Sequence, residues 1–180
     1  MRTTTLALLS LCSFGLAQEA FVPVDFRVPV HYQTSKFQLV PLGPDVVKQD
    51  YDAYMSSIEH LQKTFGGGKW PHAALTMNDA MKDMQNEEAR FKSRKSFAYA
   101  VLTLDRSKEL GSVYVRPSRK QDYDAQVTMW VTKEEFDRGF EDELFEAVKA
   151  WVAKEWPFQK VAYPKRAMSE AEWNALPTKN

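Results

Sequence analysis

Apolar residues recur along the chain with the spacings of helices and strands, in an order that predicts a mixed α/β fold. Between residues 47 and 65, six apolar side chains stand three or four residues apart, which predicts one helix with a single apolar face. The runs 97–104, 110–116 and 125–131 are rich in β-branched and aromatic residues and predict three consecutive strands. Residues 136–151 repeat the helical spacing and predict a long helix.

Four further segments complete the predicted order of elements. Residues 37–42 predict a first strand, residues 77–91 a second helix, residues 161–163 a short strand, and Ser169 opens a helix of about two turns. Because the long helix connects strand 125–131 to the short strand, we expect those two strands to be parallel or splayed and the earlier strands to be antiparallel. The predicted fold class is α/β, a mixed and mostly antiparallel sheet flanked by helices.

The N-terminal segment does not belong to that domain. Arg2 precedes an apolar run from Leu6 to Leu16, and Ala17 offers a small residue at a possible cleavage position. This pattern is typical of a secretory signal peptide, and the run is shorter than the ~20 residues that span a bilayer. A packed N-terminal helix is the alternative, and an uncleaved leader would leave the protein cytoplasmic. We therefore predict an exported protein without a stable membrane anchor, with a signal peptide at 1–17, an extended arm at 18–35 and one domain at 36–180.

Composition excludes several classes of function. Basic and acidic side chains number 24 each, so the formal net charge is zero and no long-range field favours nucleic acid. Cys12 is the sole cysteine, so neither an intramolecular disulfide nor a thiolate zinc site can form. The histidines at 31, 60 and 72 do not form an i, i+4 pair, and we predict no metal site.

The junction between strand 125–131 and the long helix is the strongest candidate site. A strand that runs through a turn into a helix N-terminus presents free backbone N–H groups and the positive end of the helix dipole. That arrangement suits an anionic group such as a diphosphate.

Around this junction the chain resembles the GNAT superfamily of N-acetyltransferases, over roughly residues 36–164. The resemblance implies that the strand before the long helix splays from its neighbour. It also implies that acetyl-CoA enters the resulting cleft, that its diphosphate lies on the loop of a Gln/Arg-x-x-Gly-x-Gly/Ala motif, and that an amine attacks the thioester directly. The segments that carry the resemblance are Lys36-Phe37-Gln38-Leu39-Val40-Pro41-Leu42, Leu110-Gly111-Ser112-Val113, Ala125 to Val131, Arg138-Gly139 and Val161-Ala162-Tyr163.

The motif falls on residues 136–141, where it is only partly matched. Gly139 fits, whereas Phe136 replaces Gln/Arg and Glu141 replaces the last small residue, which puts a carboxylate where the diphosphate is expected to approach. The resemblance implies that the residues at the cofactor position are Trp130, Val131, Arg138, Gly139 and Phe140.

The candidate general base also departs from the pattern of the superfamily. Many relatives carry a glutamate on the strand before the long helix, and the matching residue is Gln126, which cannot take a proton. Asp124 is the nearest carboxylate and is the candidate catalytic residue.

Two functions stay open at this point. The first is a GNAT-like N-acyltransferase that transfers an acetyl group from acetyl-CoA to the amine of a small molecule or peptide. The alternative is an exported, non-catalytic protein that binds a ligand or partner in the cleft of a degenerate GNAT fold. Binding of acetyl-CoA by the leader-free domain separates the two.

Overall fold

The computed structural model describes residues 21–179, so the predicted signal peptide at 1–17 lies outside the described residues. Within residues 21–179 six strands form one sheet, in which strand order follows chain order. Every neighbouring pair is antiparallel except the last, which is parallel, and this confirms the predicted mixed sheet. The strands are β1 (Tyr32–Gln33), β2 (Phe37–Pro41), β3 (Phe97–Thr103), β4 (Glu109–Pro117), β5 (Ala125–Val131) and β6 (Val161–Ala162).

Helices cover both faces of the sheet, and two of the expected helices are divided. The helix expected over 47–65 is interrupted at Ser57, whose buried Oγ accepts a hydrogen bond from Lys133 N at 2.9 Å. The long helix is preceded by a separate short one, because Gly139 between them adopts a left-handed conformation with φ 74°. The helices are α1 (Val47–Met55), α2 (Ile58–Thr64), α3 (Met77–Lys92), α4 (Lys133–Asp137), α5 (Phe140–Glu155) and α6 (Glu170–Ala175).

Alternate side chains of the central strands divide the core into two layers. On one face, Val113 and Val127 are buried in the same cluster as Val148 and Trp151 of α5. On the other face, small residues such as Ala98 lie in a cluster with Met84 of α3, and their size lets the helices approach closely. None of the helices described between residues 21 and 179 is long and apolar enough to cross a membrane.

The segment before β2 runs along the domain instead of forming a separate unit. Phe21 stacks on Phe97 and Phe158, with ring centroids 5.7 Å and 5.0 Å apart. Arg94 Nη2 donates hydrogen bonds to the carbonyl oxygens of Pro23 at 2.5 Å and Phe26 at 3.0 Å. These contacts fix the described part of the arm against the sheet.

Candidate functional site

The strands β5 and β6 pair only at their first two positions and then separate. Beyond them β5 continues to Val131 with no strand beside it on that edge among residues 21–179. On the other edge of β5, Thr132 N donates to Leu110 O at 2.9 Å. Successive N–H groups of an antiparallel strand point alternately toward and away from its partner. Because the N–H of Thr132 points toward β4, the N–H groups of Met129 and Val131 point away from β4. Both N–H groups therefore point to the side on which β6 lies, and Met129 lines the cavity into which the gap opens.

The gap opens into a cavity of about 500 Å³, which we call the cleft. Thr128 and Met129 of β5 form one wall, Glu141 at the start of α5 lies at one end, and the segment 164–166 forms the opposite side. Trp173 of α6 also lines the cleft. The splayed strand pair expected from the sequence is thus present.

Three of the residues predicted to line the cofactor position are buried in the core. Trp130 and Val131 are each 1 % exposed, and Phe140 is 9 % exposed. Trp130 Nε1 donates to Tyr114 Oη at 3.4 Å, and the Phe140 ring packs edge-on against Phe37. None of these three side chains lines the cleft.

The other two predicted residues lie at the entrance to α5. Gly139 is the exposed N-cap of α5, and no side chain of the described residues caps this helix end. Arg138 turns back toward α4, where its guanidinium contacts Glu134 at 2.5 Å and Glu135 at 3.0 Å. Gly139 therefore keeps the start of α5 accessible, whereas Arg138 points elsewhere.

Arg166, a residue that sequence reasoning missed, is the cation beside this helix end. Its Nη1 donates to Glu141 Oε2 at 2.8 Å, and its Nη2 contacts the Asp142 carboxylate. Its Nε is buried and has no hydrogen-bond partner among the described residues. The signal in the sequence was the basic pair Lys165-Arg166 directly after the β6 strand and its proline.

Asp124, the candidate base, lies at the closed end of the strand pair. Its Oδ2 accepts hydrogen bonds from the backbone N–H groups of Lys160 at 2.9 Å and Gln159 at 2.7 Å. The bond from Lys160 is the main cause that holds the pKa of Asp124 below its usual range. In this geometry the carboxylate joins the start of β5 to the loop before β6, and the lowered pKa makes it a weak proton acceptor.

A second cavity of about 440 Å³ lies between the sheet and the helices α1 and α3. We call it the aromatic pocket, because the rings of Tyr54, Trp70 and Tyr114 line it. The aromatic pocket and the cleft share three lining residues, Phe65, Arg116 and Thr128, so the two cavities are adjacent.

A buried carboxyl pair lies beside the aromatic pocket, and Asp50 is the member of the pair that lines it. Asp50 on α1 and Glu109 on β4 are 4 % and 2 % exposed, and their side chains hydrogen-bond to each other. Ser112 Oγ donates to Glu109 Oε1 at 2.8 Å. Burial raises the pKa of Asp50 to about 7 and raises the pKa of Glu109 well above its usual range. Two carboxyl groups this close favour sharing a proton, and Asp50 is the one that faces the pocket.

Comparison with known proteins decides the fold. No protein-family model matches the chain, and no curated protein matches it in sequence. Solved structures do match: the ribosomal-protein-S5-alanine acetyltransferase of Vibrio fischeri superposes with a TM-score of 0.62 at 15 % identity, over 82 % of this chain and 81 % of that one. The protein has the GNAT fold.

Two further structures with the GNAT fold agree with this result. RimL, a ribosomal L7/L12 alpha-N-protein acetyltransferase solved in complex with coenzyme A, matches with a TM-score of 0.58 at 14 % identity, over 75 % of this chain and 72 % of that one. A Bordetella pertussis structure described as GNAT-family matches with a TM-score of 0.55 at 13 % identity, over 79 % of this chain and 84 % of that one. The resemblance read from the sequence is confirmed at the level of the fold.

The buried pair predicts that the stability of the protein depends on pH. Because burial raises the pKa of Asp50, the folded protein holds a proton that the unfolded chain releases, so the free energy of unfolding falls as pH rises toward 7. Asp50→Asn keeps the size of the side chain and removes this ionisable group. We expect the wild type to lose about 2 to 4 kcal/mol more than this variant between about pH 4.5 and pH 8.

Urea denaturation at a series of pH values measures this difference. Glu146→Gln is the matched control, since the Glu146 side chain is 69 % exposed on α5. Its stability should follow that of the wild type at every pH. Identical pH profiles for Asp50→Asn and the wild type would show that Asp50 is not protonated in the folded protein.

Proposed function

We propose that the protein is an N-acyltransferase that transfers an acetyl group from acetyl-CoA to a primary amine. The observation that carries the proposal is the cleft, in which an open strand edge leads to the uncapped start of α5. The structures of the same fold described above are acetyltransferases, and one of them is a coenzyme A complex, which supports the proposal.

The residues of the cleft fit acetyl-CoA in three respects. The N–H groups of Met129 and Val131 offer hydrogen bonds to an extended chain that carries amides. The start of α5 offers N–H groups and a positive dipole end to phosphate oxygens. The unpartnered Nε of Arg166 offers a charge-assisted hydrogen bond at the same place.

The aromatic pocket is the proposed binding site of the acceptor amine. When bound, acetyl-CoA provides an activated acyl group as a thioester. The acceptor amine would enter the aromatic pocket, whose boundary with the cleft is at Thr128. Asp50 lines that pocket and is the carboxylate best suited to accept the proton that the amine loses, since a base works best when its pKa is near the working pH.

Glu141 is the residue of the cleft that opposes an anionic ligand, and it provides the test. Glu141→Ala removes one carboxylate and frees the Arg166 guanidinium from its 2.8 Å ion pair. We expect acetyl-CoA to bind this variant about tenfold more tightly than the wild type, a difference of about 1.4 kcal/mol, in a calorimetric titration.

Glu143→Ala is the matched control for that titration. Glu143 lies in the same turn of α5 but pairs with Lys36 at 2.8 Å, away from the cleft. Its removal should leave the affinity unchanged. If acetyl-CoA binds neither the wild type nor Glu141→Ala, the proposal fails and the non-catalytic alternative is favoured.

A further inference from the structure

Cationic side chains surround a third cavity, of about 750 Å³, on the same face of the sheet. We call it the basic groove. It is bounded by the end of α3, the end of β4, the loop between β4 and β5, and the C-terminal segment. Its cationic residues are Arg90, Lys95, Arg116, Arg119 and Lys120.

Most of the positive charge of the basic groove is not paired with a carboxylate. Glu87 is the one carboxylate residue that lines it, and its Oε1 is already paired with Arg90 at 2.8 Å. Within residues 21–179 no carboxylate lies within 4.0 Å of the charged groups of Lys95, Arg116 or Arg119. The formal net charge of the whole chain is zero, so the excess of positive charge is local to the groove.

Two of the cations are held in place by other parts of the chain. The Arg116 guanidinium lies over the Tyr114 ring, 4.4 Å from its centroid. Lys120 Nζ donates to Leu176 O at 2.7 Å and lies over the Trp173 ring. Since these side chains are ordered before any ligand arrives, an anion that binds them costs little additional side-chain entropy.

The basic groove is continuous with both cavities of the proposed reaction. It shares Glu87, Arg90 and Arg116 with the aromatic pocket, and it shares Arg116, Gln126 and Trp173 with the cleft. A ligand in the groove therefore extends from the place where the acceptor amine would be acetylated.

We propose that the basic groove binds the carboxylates of an acidic peptide segment, so that the acceptor is a peptide amine close to several acidic residues. This inference rests on the proposed function for the identity of the amine site. The volume of the groove and the spread of its cations over three parts of the fold match several carboxylates along a chain better than one isolated phosphate.

A calorimetric titration with a glutamate-rich hexapeptide that has a free N-terminus tests the proposal. The test variant is the double substitution Lys95→Gln, Arg119→Gln, because both side chains are exposed and unpaired, so the fold does not depend on them. We expect the peptide to bind the wild type and to bind this variant at least tenfold more weakly. A peptide with glutamine in place of every glutamate should not bind.

The control variant is Lys48→Gln, Lys154→Gln, which removes the same charge from exposed positions outside the groove. Equal weakening by both variants would overturn the proposal, since it would show that only net charge matters. Tighter binding of a thymidine hexanucleotide or of inorganic phosphate than of the peptide would also overturn it. Acetyl-CoA is titrated separately into the wild type. If the wild type binds acetyl-CoA but not the peptide, this inference alone fails; if it binds the peptide but not acetyl-CoA, the proposed function alone fails.

Discussion

Asp50→Asn is expected to lower kcat for acetyl transfer by a factor of about 100 or more, with little change in the affinity for acetyl-CoA. The asparagine retains the size of the side chain and can still hydrogen-bond to Glu109, but it cannot accept a proton. Asp50 lines the aromatic pocket and not the cleft, so the binding of acetyl-CoA should be preserved. Coenzyme A release, followed with a thiol reagent and the glutamate-rich hexapeptide as acceptor, gives kcat and KM.

The pH dependence of the same assay separates a proton acceptor from a structural residue. In the wild type kcat should rise with pH through the Asp50 pKa of about 7, and in Asp50→Asn this step should disappear. Asp52→Asn is the matched control, since Asp52 lies on the same helix with its side chain 57 % exposed and paired with Lys48. A kcat for Asp50→Asn within threefold of the wild type would exclude Asp50 as the base.

Gly111→Ala is expected to destabilise the protein by about 3 kcal/mol or more. A Cβ at Gly111 would lie 2.0 Å from Trp130 O and 2.8 Å from Val131 Cα, so β4 and β5 would have to move apart. These are the strands that position the open edge of the cleft. The loss should lower the thermal midpoint by about 6 to 12 °C for a protein of this size.

Gly68→Ala is the control for that substitution, because its Cβ would meet nothing closer than Phe65 O at 3.8 Å. Its free energy of unfolding should stay within about 0.5 kcal/mol of the wild type in urea denaturation. A loss of less than 1 kcal/mol in Gly111→Ala would mean that the two strands are not packed as closely as described.

The elements of the fold could be predicted from local patterns because they depend on periodicity. Strand β5 lies at residues 125–131, the range that the pattern predicts, and strands β3 and β4 differ from the predicted ranges by one residue at one or both ends. The division of the first helix at Ser57 could not be foreseen, since its partner, Lys133 N, lies 76 residues away.

The chemistry of the site was less accessible from the sequence because it depends on contacts between distant segments. Asp50 stands between Val47 and Tyr54 on the apolar stripe, a position that hinted at burial, but its partner Glu109 lies on β4. The pairing of Glu141 with Arg166 likewise joins α5 to the segment after β6. Neither partner could be assigned before the topology was known.

Some expectations concern properties that the fold does not test. The signal peptide at 1–17 and export stay predictions, as does the absence of nucleic acid among the partners. The fold contains the cleft, whereas the identity of a ligand depends on the side chains around the cleft.

Amide hydrogen exchange, measured by NMR with and without acetyl-CoA, shows whether the open edge of β5 holds the ligand. If it does, the N–H groups of Met129 and Val131 should exchange at least tenfold more slowly in the presence of acetyl-CoA. The N–H of Thr132, which already donates to Leu110 O, should show a much smaller change. Binding of acetyl-CoA without protection of Met129 and Val131 would show that the ligand does not lie along this edge.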